Sequence, residues 1–138
     1  MMALSYKDST RNARLDRLTT DLGTTAFIEV FTGAPAGKSA GTFNADPGTK
    51  LASLACSNPI APGSSAGLLT FSSITSATGL ASGTPASFRI KSASGGGVST
   101  VIIEGDAAVG SGSLNFASAV SSGGTVSISS ATITEGNA

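Results

Sequence analysis

One segment near the start of this chain has the hydrophobic period of a helix. Leu15, Leu18 and Leu22 recur at spacings of three and four, and Gly23 follows where a helix C-cap favours a residue without a Cβ atom. We therefore predict a helix at residues 9–22. A helix this short is marginal alone in water, so it must pack on a β core or on a neighbouring subunit.

The rest of the chain consists of short apolar or alternating segments separated by Gly, Pro and polar turns. Such a pattern is typical of an all-β fold, either an antiparallel β-sandwich or a small jelly-roll-like barrel of about seven strands with one N-terminal helix. The apolar positions change phase in the last strand, which predicts a β-bulge near residues 129 and 130. The predicted strands are 26–32, 51–57, 67–74, 86–92, 98–104, 114–117 and 125–134.

The length of 138 residues suits one domain. We divide it into an N-terminal extension and helix at 1–25 and a single β domain at 26–138. That domain contains a long arm-like loop at 33–50, called the arm below. A connection of this length is usually functional or ordered by a partner. Two interpretations stay open, a disordered arm and an arm that reaches a neighbour.

Residues 86–104 form the clearest hairpin pattern. Strict alternation predicts that Phe88 and Ile90 face inward and that Arg89 and Lys91 face solvent. The first strand is apolar on both sides except at Glu29, so we expect it to be covered on both faces apart from that position.

The chain carries little charge. Charged residues make up 12%, about half the ~25% of an average domain, and the formal net charge is zero. Between residue 107 and the end, Glu135 is the single charged side chain. This composition suits a surface covered by neighbouring subunits. The alternative is a surface solvated by Ser and Thr hydroxyls.

The residues offer little for catalysis. There is no histidine, the commonest general base, and the single cysteine, Cys56, lies in an apolar strand where a small core residue is expected. The string GSSAG at 63–67 matches a hydrolase nucleophile motif, but it has no histidine partner. Glu104 and Asp106 are too few for a calcium site. We expect no enzyme activity, no cofactor and no metal.

Other partners are also disfavoured. Zero net charge and a single Tyr argue against nucleic-acid binding. The sequence contains no run of about 18 apolar residues, so we expect no membrane span. Residues 1–25 also lack the apolar core of a signal peptide. We therefore expect synthesis in a cytoplasm.

Several motifs resemble one known group of proteins. The sequences RNARLD at 11–16 and VFTGAP at 30–35 look like the N-terminal helix and first strand of a widespread group of small phage and prophage virion proteins. Phe31 stands where that group usually has Tyr. The sequences GTKLASL at 48–54, GTPASFRI at 83–90 and VSISSATIT at 126–134 extend the resemblance over nearly the whole chain.

The resemblance implies a capsid cement, or head decoration, protein, often trimeric, on the outer surface of the virion and made in the host cytoplasm. Its implied partners are the major capsid protein and further copies of itself. A tail- or neck-associated structural protein of the same virion is the first alternative, and a receptor- or glycan-binding module is the second.

The contact predictions rest on the helix and the arm. The basic residues of the helix could contact an acidic partner, or they could form a solvated face balanced by nearby aspartates. We further expect that removing residues 1–22 leaves the body folded, and that the uncharged C-terminal third forms the intersubunit surface. The predicted partner-binding residues are Arg11, Arg14, Leu15, Arg17, Leu18, Leu22, Lys38 and Phe43.

Overall fold

The computed structural model describes residues 5–135, which are mainly β with one α-helix. The predicted helix is confirmed, and Gly23 ends it with a positive φ of 65°. In chain order the elements are α1 (Asp8–Leu22), β1 (Phe27–Phe31), β2 (Lys38–Ser39), β3 (Thr42–Phe43), β4 (Lys50–Ala55), β5 (Ser64–Ser65), β6 (Leu68–Thr70), β7 (Ala77–Thr78), β8 (Ser87–Lys91), a 3₁₀ turn (Val98–Thr100), β9 (Val101–Val109), β10 (Leu114–Phe116), β11 (Thr125–Val126) and β12 (Thr132–Thr134).

The largest sheet has five strands in the order β10-β9-β8-β1-β4. The strands β4, β1, β8 and β9 are antiparallel neighbours, and the predicted hairpin at 86–104 is present as β8 and β9. The pairing of β9 with β10 is parallel, so the sheet is mixed. The prediction of a purely antiparallel arrangement was therefore wrong at this edge. The remaining strands form a three-stranded sheet, β12-β6-β5, and two pairs, β11-β7 and β2-β3.

The hydrophobic core lies on one face of the large sheet. Ile28 of β1, Leu54 of β4 and Ile90 of β8 point to this face, and helix α1 adds Leu15 and Leu22. The helix thus packs on the β core of its own chain, which decides between the two places expected for it. Because two of its leucines are part of this core, removal of residues 1–22 would open the core rather than leave the body intact.

Polar contacts fasten the same helix to the body. The carboxylate of Asp16 accepts hydrogen bonds from the backbone N–H and the hydroxyl of Ser64, at 2.9 and 2.7 Å. The side-chain oxygen of Asn12 accepts the Gly67 N–H at 2.9 Å. These bonds place α1 across β5 and the start of β6.

The C-terminal region departs from its prediction. The expected single strand with a bulge is instead two strands in different sheets, with β11 pairing with β7 and β12 with β6. Residues 127–131 cross between them, and the Phe71 N–H donates to the Ala131 carbonyl at 2.9 Å on the way. The phase change in the sequence was real, but it marks a change of sheet rather than a bulge.

The arm folds back on its own chain. Its tip is the short hairpin β2-β3, and the side chain of Asn44 donates to the Ala36 carbonyl at 2.8 Å across the hairpin base. At its root the Gly33 N–H donates to the Pro47 carbonyl at 2.9 Å. A Cβ on Gly33 would lie 2.6 Å from that oxygen, so the tight root requires glycine.

Candidate functional site

The face of the large sheet opposite the core carries a cluster of charged side chains. They come from β1, the arm, β4, β8 and β9, and they alternate along each strand with the core residues of the other face. We call this group the ionic cluster: Glu29, Asp46, Lys50, Arg89, Lys91 and Glu104.

Glu29 lies at the centre of the cluster and is fully buried. Lys50 donates to its Oε1 atom at 2.8 Å. The ammonium of Lys91 lies 2.8 Å from the other carboxylate oxygen, Oε2, as an ion pair rather than as an aligned hydrogen bond. Both oxygens of a carboxylate that water cannot reach are therefore neutralised by lysines.

Arg89 is also fully buried and contacts two carboxylates. Its Nε and Nη2 atoms lie 2.7 and 2.6 Å from Oε2 of Glu104, and its Nη1 atom donates to Asp46 at 2.9 Å. The Nη2 atom also donates to the Ala45 carbonyl at 3.2 Å. The planar guanidinium is thus held by the sheet on one edge and by the arm on the other.

The cluster balances its charge. Three cations face three carboxylates, so six of the sixteen charged residues of the chain form a neutral group. Burial of ions is tolerated when each is paired, and this balance supplies the pairing. No group of three or more His, Cys, Asp and Glu side chains within residues 5–135 is arranged to hold a metal ion.

The prediction that Arg89 and Lys91 face solvent was wrong. Both side chains are withdrawn from water, at 0% and 1% exposure. Alternating charges normally indicate a solvated face, but here the arm and the residues near Gly96 cover that face, and Gly96 accepts a hydrogen bond from Lys91 at 3.3 Å. The expectation that Glu29 would be the uncovered position of the first strand was also wrong, because its side chain is fully buried. An ion in the middle of an apolar strand was the available sequence signal for a buried cluster.

The arm forms the outer wall of the cluster. Asp46 approaches the Lys91 ammonium at 3.1 and 3.2 Å, and the Gly37 N–H donates to Glu104 at 2.7 Å. The two predicted contact residues of the arm, Lys38 and Phe43, face each other, with the Lys38 ammonium 5.2 Å from the ring centroid. They lie on the hairpin at the tip of the arm.

The apolar face of the sheet contains an open cleft of about 520 Å³. Three of the six phenylalanines line it, together with isoleucines from β1, β8 and β9 and residues from the segments 113–117 and 127–133. None of its lining residues is charged. Small-molecule sites in proteins are typically clefts of about 300–1,000 Å³ with a mainly apolar lining, and this cleft lies within that range. Its principal apolar lining residues are Ile28, Phe71, Phe88, Ile90, Ile103, Phe116, Ile128 and Ile133.

Sequence reasoning placed the uncharged C-terminal third at an intersubunit surface but did not find this cleft. Its walls come from positions 28 to 133 in the chain, and no local spacing brings them together. The crossing between β11 and β12, which was predicted as part of one strand, supplies one wall.

The structure separates the predicted helix residues into two groups. Leu15 and Leu22 are buried in the core, and Leu18 packs against it half-buried, so the first two are not available to a partner in this fold. Arg17 is exposed and pairs with Asp21 at 2.8 Å on the same helix.

The other two helix arginines bind the C-terminal end of the described chain. Arg11 donates twice to the Glu135 carbonyl, at 3.0 and 2.6 Å, and Arg14 donates to the Glu135 carboxylate at 2.7 Å. The hydrogen bond that Arg14 donates to Glu135 is the main cause of the raised pKa of Arg14. The Arg14 guanidinium also lies over the Tyr6 ring, 4.3 Å from its centroid. These arginines thus join the two ends of the fold.

Two further groups have shifted pKa values. Burial raises the pKa of the Cys56 thiol to about 11, as expected for a thiol in an apolar setting. A hydrogen bond from the Ser113 hydroxyl lowers the pKa of Asp106.

No helix in residues 5–135 combines the length and the apolar character needed to cross a bilayer. Comparison of the chain with known protein families, with curated proteins and with solved structures found no match.

Proposed function

We propose that this chain is a structural virion protein, a phage capsid cement protein that binds the major capsid shell and associates with copies of itself as a homotrimer. The observation that carries the binding role is the open, uncharged cleft on the apolar face of the sheet. The virion setting rests on the resemblance of residues 11–35 and of the later motifs to small phage virion proteins.

The distribution of charge supports a role in assembly. Six charged side chains form ion pairs inside the ionic cluster, and several of the other charged side chains pair with one another on or near α1. The region around the cleft therefore has few charged side chains that would favour its exposure to water. A partner that covers it removes apolar area from solvent and desolvates no ion, which favours association.

The proposal includes a β-sandwich body. Leu69 of β6 belongs to the same core as Ile28 and Ile90 of the large sheet, and Ile133 of β12 packs against that core. The three-stranded sheet would then be the second layer, and the cleft would open between the layers. Sandwiches expose their loops and edges at the rim, where neighbouring subunits can bind without disturbing the core.

The experiment compares charged substitutions inside and outside the cleft. Ile103→Lys and Ile133→Lys place an ion among half-buried cleft residues, whereas Val109→Lys places the same ion at an exposed position of the same strand as Ile103. Each protein is mixed with shells assembled from the major capsid protein of the same virus. We expect wild type and Val109→Lys to sediment with the shells and both cleft variants to stay in the supernatant.

Sedimentation velocity of the free protein tests self-association. We expect a species with three times the 13.4 kDa mass of one chain for wild type. A stable monomer that ignores the shells would contradict the proposal, and so would cleft variants that bind as wild type does.

Copy number separates the cement role from the tail or neck alternative. Hundreds of copies per particle indicate the shell, and a handful indicate the tail or neck. A receptor- or glycan-binding module would instead bind glycans as the purified chain. The absence of Trp from the sequence disfavours that function.

A further inference from the structure

The arm has a fixed root and a polar attachment. At the root, Thr32 N–H donates to the Thr49 carbonyl at 3.1 Å, and the Ser87 hydroxyl donates to the Gly33 carbonyl at 2.6 Å. Residues 34–46 form a closed loop beyond this root. None of these residues belongs to the hydrophobic core.

The hydrogen bonds and ion pairs between this loop and the sheet all involve ions of the sheet, and the ring of Phe43 on the loop lies 5.9 Å from the Arg89 guanidinium. The Gly37 N–H donates to Glu104, the Ala45 carbonyl accepts from Arg89, and Asp46 binds both Arg89 and Lys91. Of the three loop residues that make these hydrogen bonds and ion pairs, Asp46 is the one with a charged side chain. Segments held by few apolar contacts have the lowest cost of local opening.

Asp46 differs from the other two carboxylates of the ionic cluster. Its side chain is 38% exposed, whereas those of Glu29 and Glu104 are 0% and 4% exposed. The two cations that it bridges are buried, and each also contacts a buried carboxylate, Glu104 for Arg89 and Glu29 for Lys91. Withdrawal of Asp46 would leave a carboxylate-sized space between the Arg89 and Lys91 side chains. The cluster would then have one more cation than carboxylates.

We propose that Arg89 and Lys91 form a carboxylate-binding site that Asp46 occupies in the closed chain. Residues 34–46 act as a strap over this site. An acidic side chain from a neighbouring chain can replace Asp46, and the strap then opens without disturbing the core. Arg89 suits this exchange because its guanidinium donates in a planar fork to carboxylates. The inference does not depend on the virion assignment.

The test removes the resident carboxylate and supplies one from solution. Asp46→Ala should open the strap, which is measured as trypsin cleavage after the exposed Lys38 and as hydrogen exchange of residues 34–46. Because proteolysis follows the population of the open form, loss of charge-assisted bonds should speed cleavage about tenfold to hundredfold. Sodium acetate should slow cleavage again, and the same concentration of sodium chloride should not.

Asp21→Ala is the matched control, since it removes a carboxylate that pairs with an arginine on the exposed surface of α1. We expect it to leave cleavage at Lys38 unchanged. Equal effects of acetate and chloride on the cleavage rate of Asp46→Ala would overturn the proposed carboxylate-binding site. An unchanged cleavage rate in that variant would overturn the proposed role of residues 34–46 as a strap. Faster exchange in β1 and β8 to the same extent as in residues 34–46 would also overturn it, because Asp46 would then stabilise the whole fold.

Asp46→Asn provides a second variant of nearly the same shape for the case in which Asp46→Ala does not fold. It keeps one oxygen acceptor and loses the charge, so we expect the same direction of change with a smaller size. Wild-type exchange rates at residues 34–46 in Asp46→Asn would overturn the proposal.

Discussion

The carboxylate of Glu29 and the ammonium of Lys91 lie 2.8 Å apart on adjacent strands, and neither is accessible to water. Their positions are diagonal in the sheet, because Glu29 is opposite Arg89 and Lys91 is opposite Phe27. A sheet normally packs apolar residues at such central positions. Here the arm covers a neutral ionic cluster instead, so the stability of the sheet depends on keeping every ion of the cluster paired.

Glu29→Gln tests this dependence. The neutral amide keeps the shape of the side chain but removes the carboxylate that pairs with both Lys50 and Lys91, so buried positive charge is left unbalanced. Breaking a buried pair by removing one partner typically costs about 3–5 kcal/mol. We expect a loss of that size in the free energy of unfolding, measured by urea denaturation, since urea does not screen charges.

The control for this measurement is Asp21→Asn, which breaks an ion pair of the same 2.8 Å length between exposed side chains. Exposed pairs contribute about 0–1 kcal/mol, so its unfolding midpoint should stay close to that of wild type. Equal midpoints for the two variants would contradict a structural role of the buried pair.

Leu22→Ala tests the packing of the helix on the core. Leu22 has no exposed surface and belongs to the same core as the large sheet. Truncation of a buried leucine to alanine typically costs about 2–5 kcal/mol, because it removes apolar burial and leaves a cavity. We expect a loss in this range by urea denaturation.

Leu18→Ala is the matched comparison, because the same truncation at a half-buried position of the same helix removes less burial. Its effect should be clearly smaller than that of Leu22→Ala. If neither variant lost stability, the helix would be a separable extension, as the division of the chain at residue 25 predicted.

Local patterns in the sequence predicted the local structure. The leucine spacing gave the helix, and the alternation at 86–104 gave the central hairpin, because both depend only on near neighbours in the chain. The same alternation misplaced Arg89 and Lys91. Their partners Asp46 and Glu104 are 43 and 15 residues from Arg89, and no local pattern shows that an arm covers this face.

The candidate cleft was beyond local reasoning for a related reason. Phe88 and Ile103 come from the central hairpin, whereas Ile128 comes from the chain crossing that follows β11 and Ile133 comes from β12. The sequence predicted one strand there. A change in the phase of apolar residues is consistent both with a bulge and with a change of sheet, and only the packing decides between them.

Cys56 provides a test of burial that does not involve a core truncation. Its pKa of about 11 keeps the thiol protonated near pH 8, where an ordinary cysteine is partly thiolate. Since the thiolate is the reactive form, we expect labelling of the folded protein by a disulfide reagent at pH 8 to be at least about a hundredfold slower than that of the protein unfolded in urea. Equal rates in the two states would show that the thiol is not shielded.

The same pKa makes stability depend on pH. The folded protein holds the thiol proton more tightly than the unfolded chain, whose cysteine has a pKa near 9. The contribution of Cys56 to stability is therefore fully present below about pH 9 and is lost as the pH rises through about 11. Cys56→Ala should remove this part of the alkaline loss, which unfolding curves between pH 8 and 11 would measure. Identical pH dependence in the variant would contradict the assignment.

Asp106 and Ser113 close the turn that joins the parallel strands β9 and β10. The Ser113 hydroxyl donates to one carboxylate oxygen and its backbone N–H donates to the other at 3.3 Å, and the hydroxyl bond is the main cause of the lowered pKa of Asp106. Because the pKa of Asp106 is lower in the folded chain than in the unfolded chain, this group contributes stability above the unfolded pKa of about 4. The contribution is lost as the pH falls through the folded pKa.

Ser113→Ala removes the hydroxyl that lowers the pKa of Asp106. We expect the pKa to rise toward its ordinary value, as measured by the carboxyl carbon shift in an NMR titration. Ser118→Ala, which changes a serine beyond β10, should leave that titration unchanged, and an unshifted Asp106 in Ser113→Ala would mean that the hydroxyl does not hold the carboxylate.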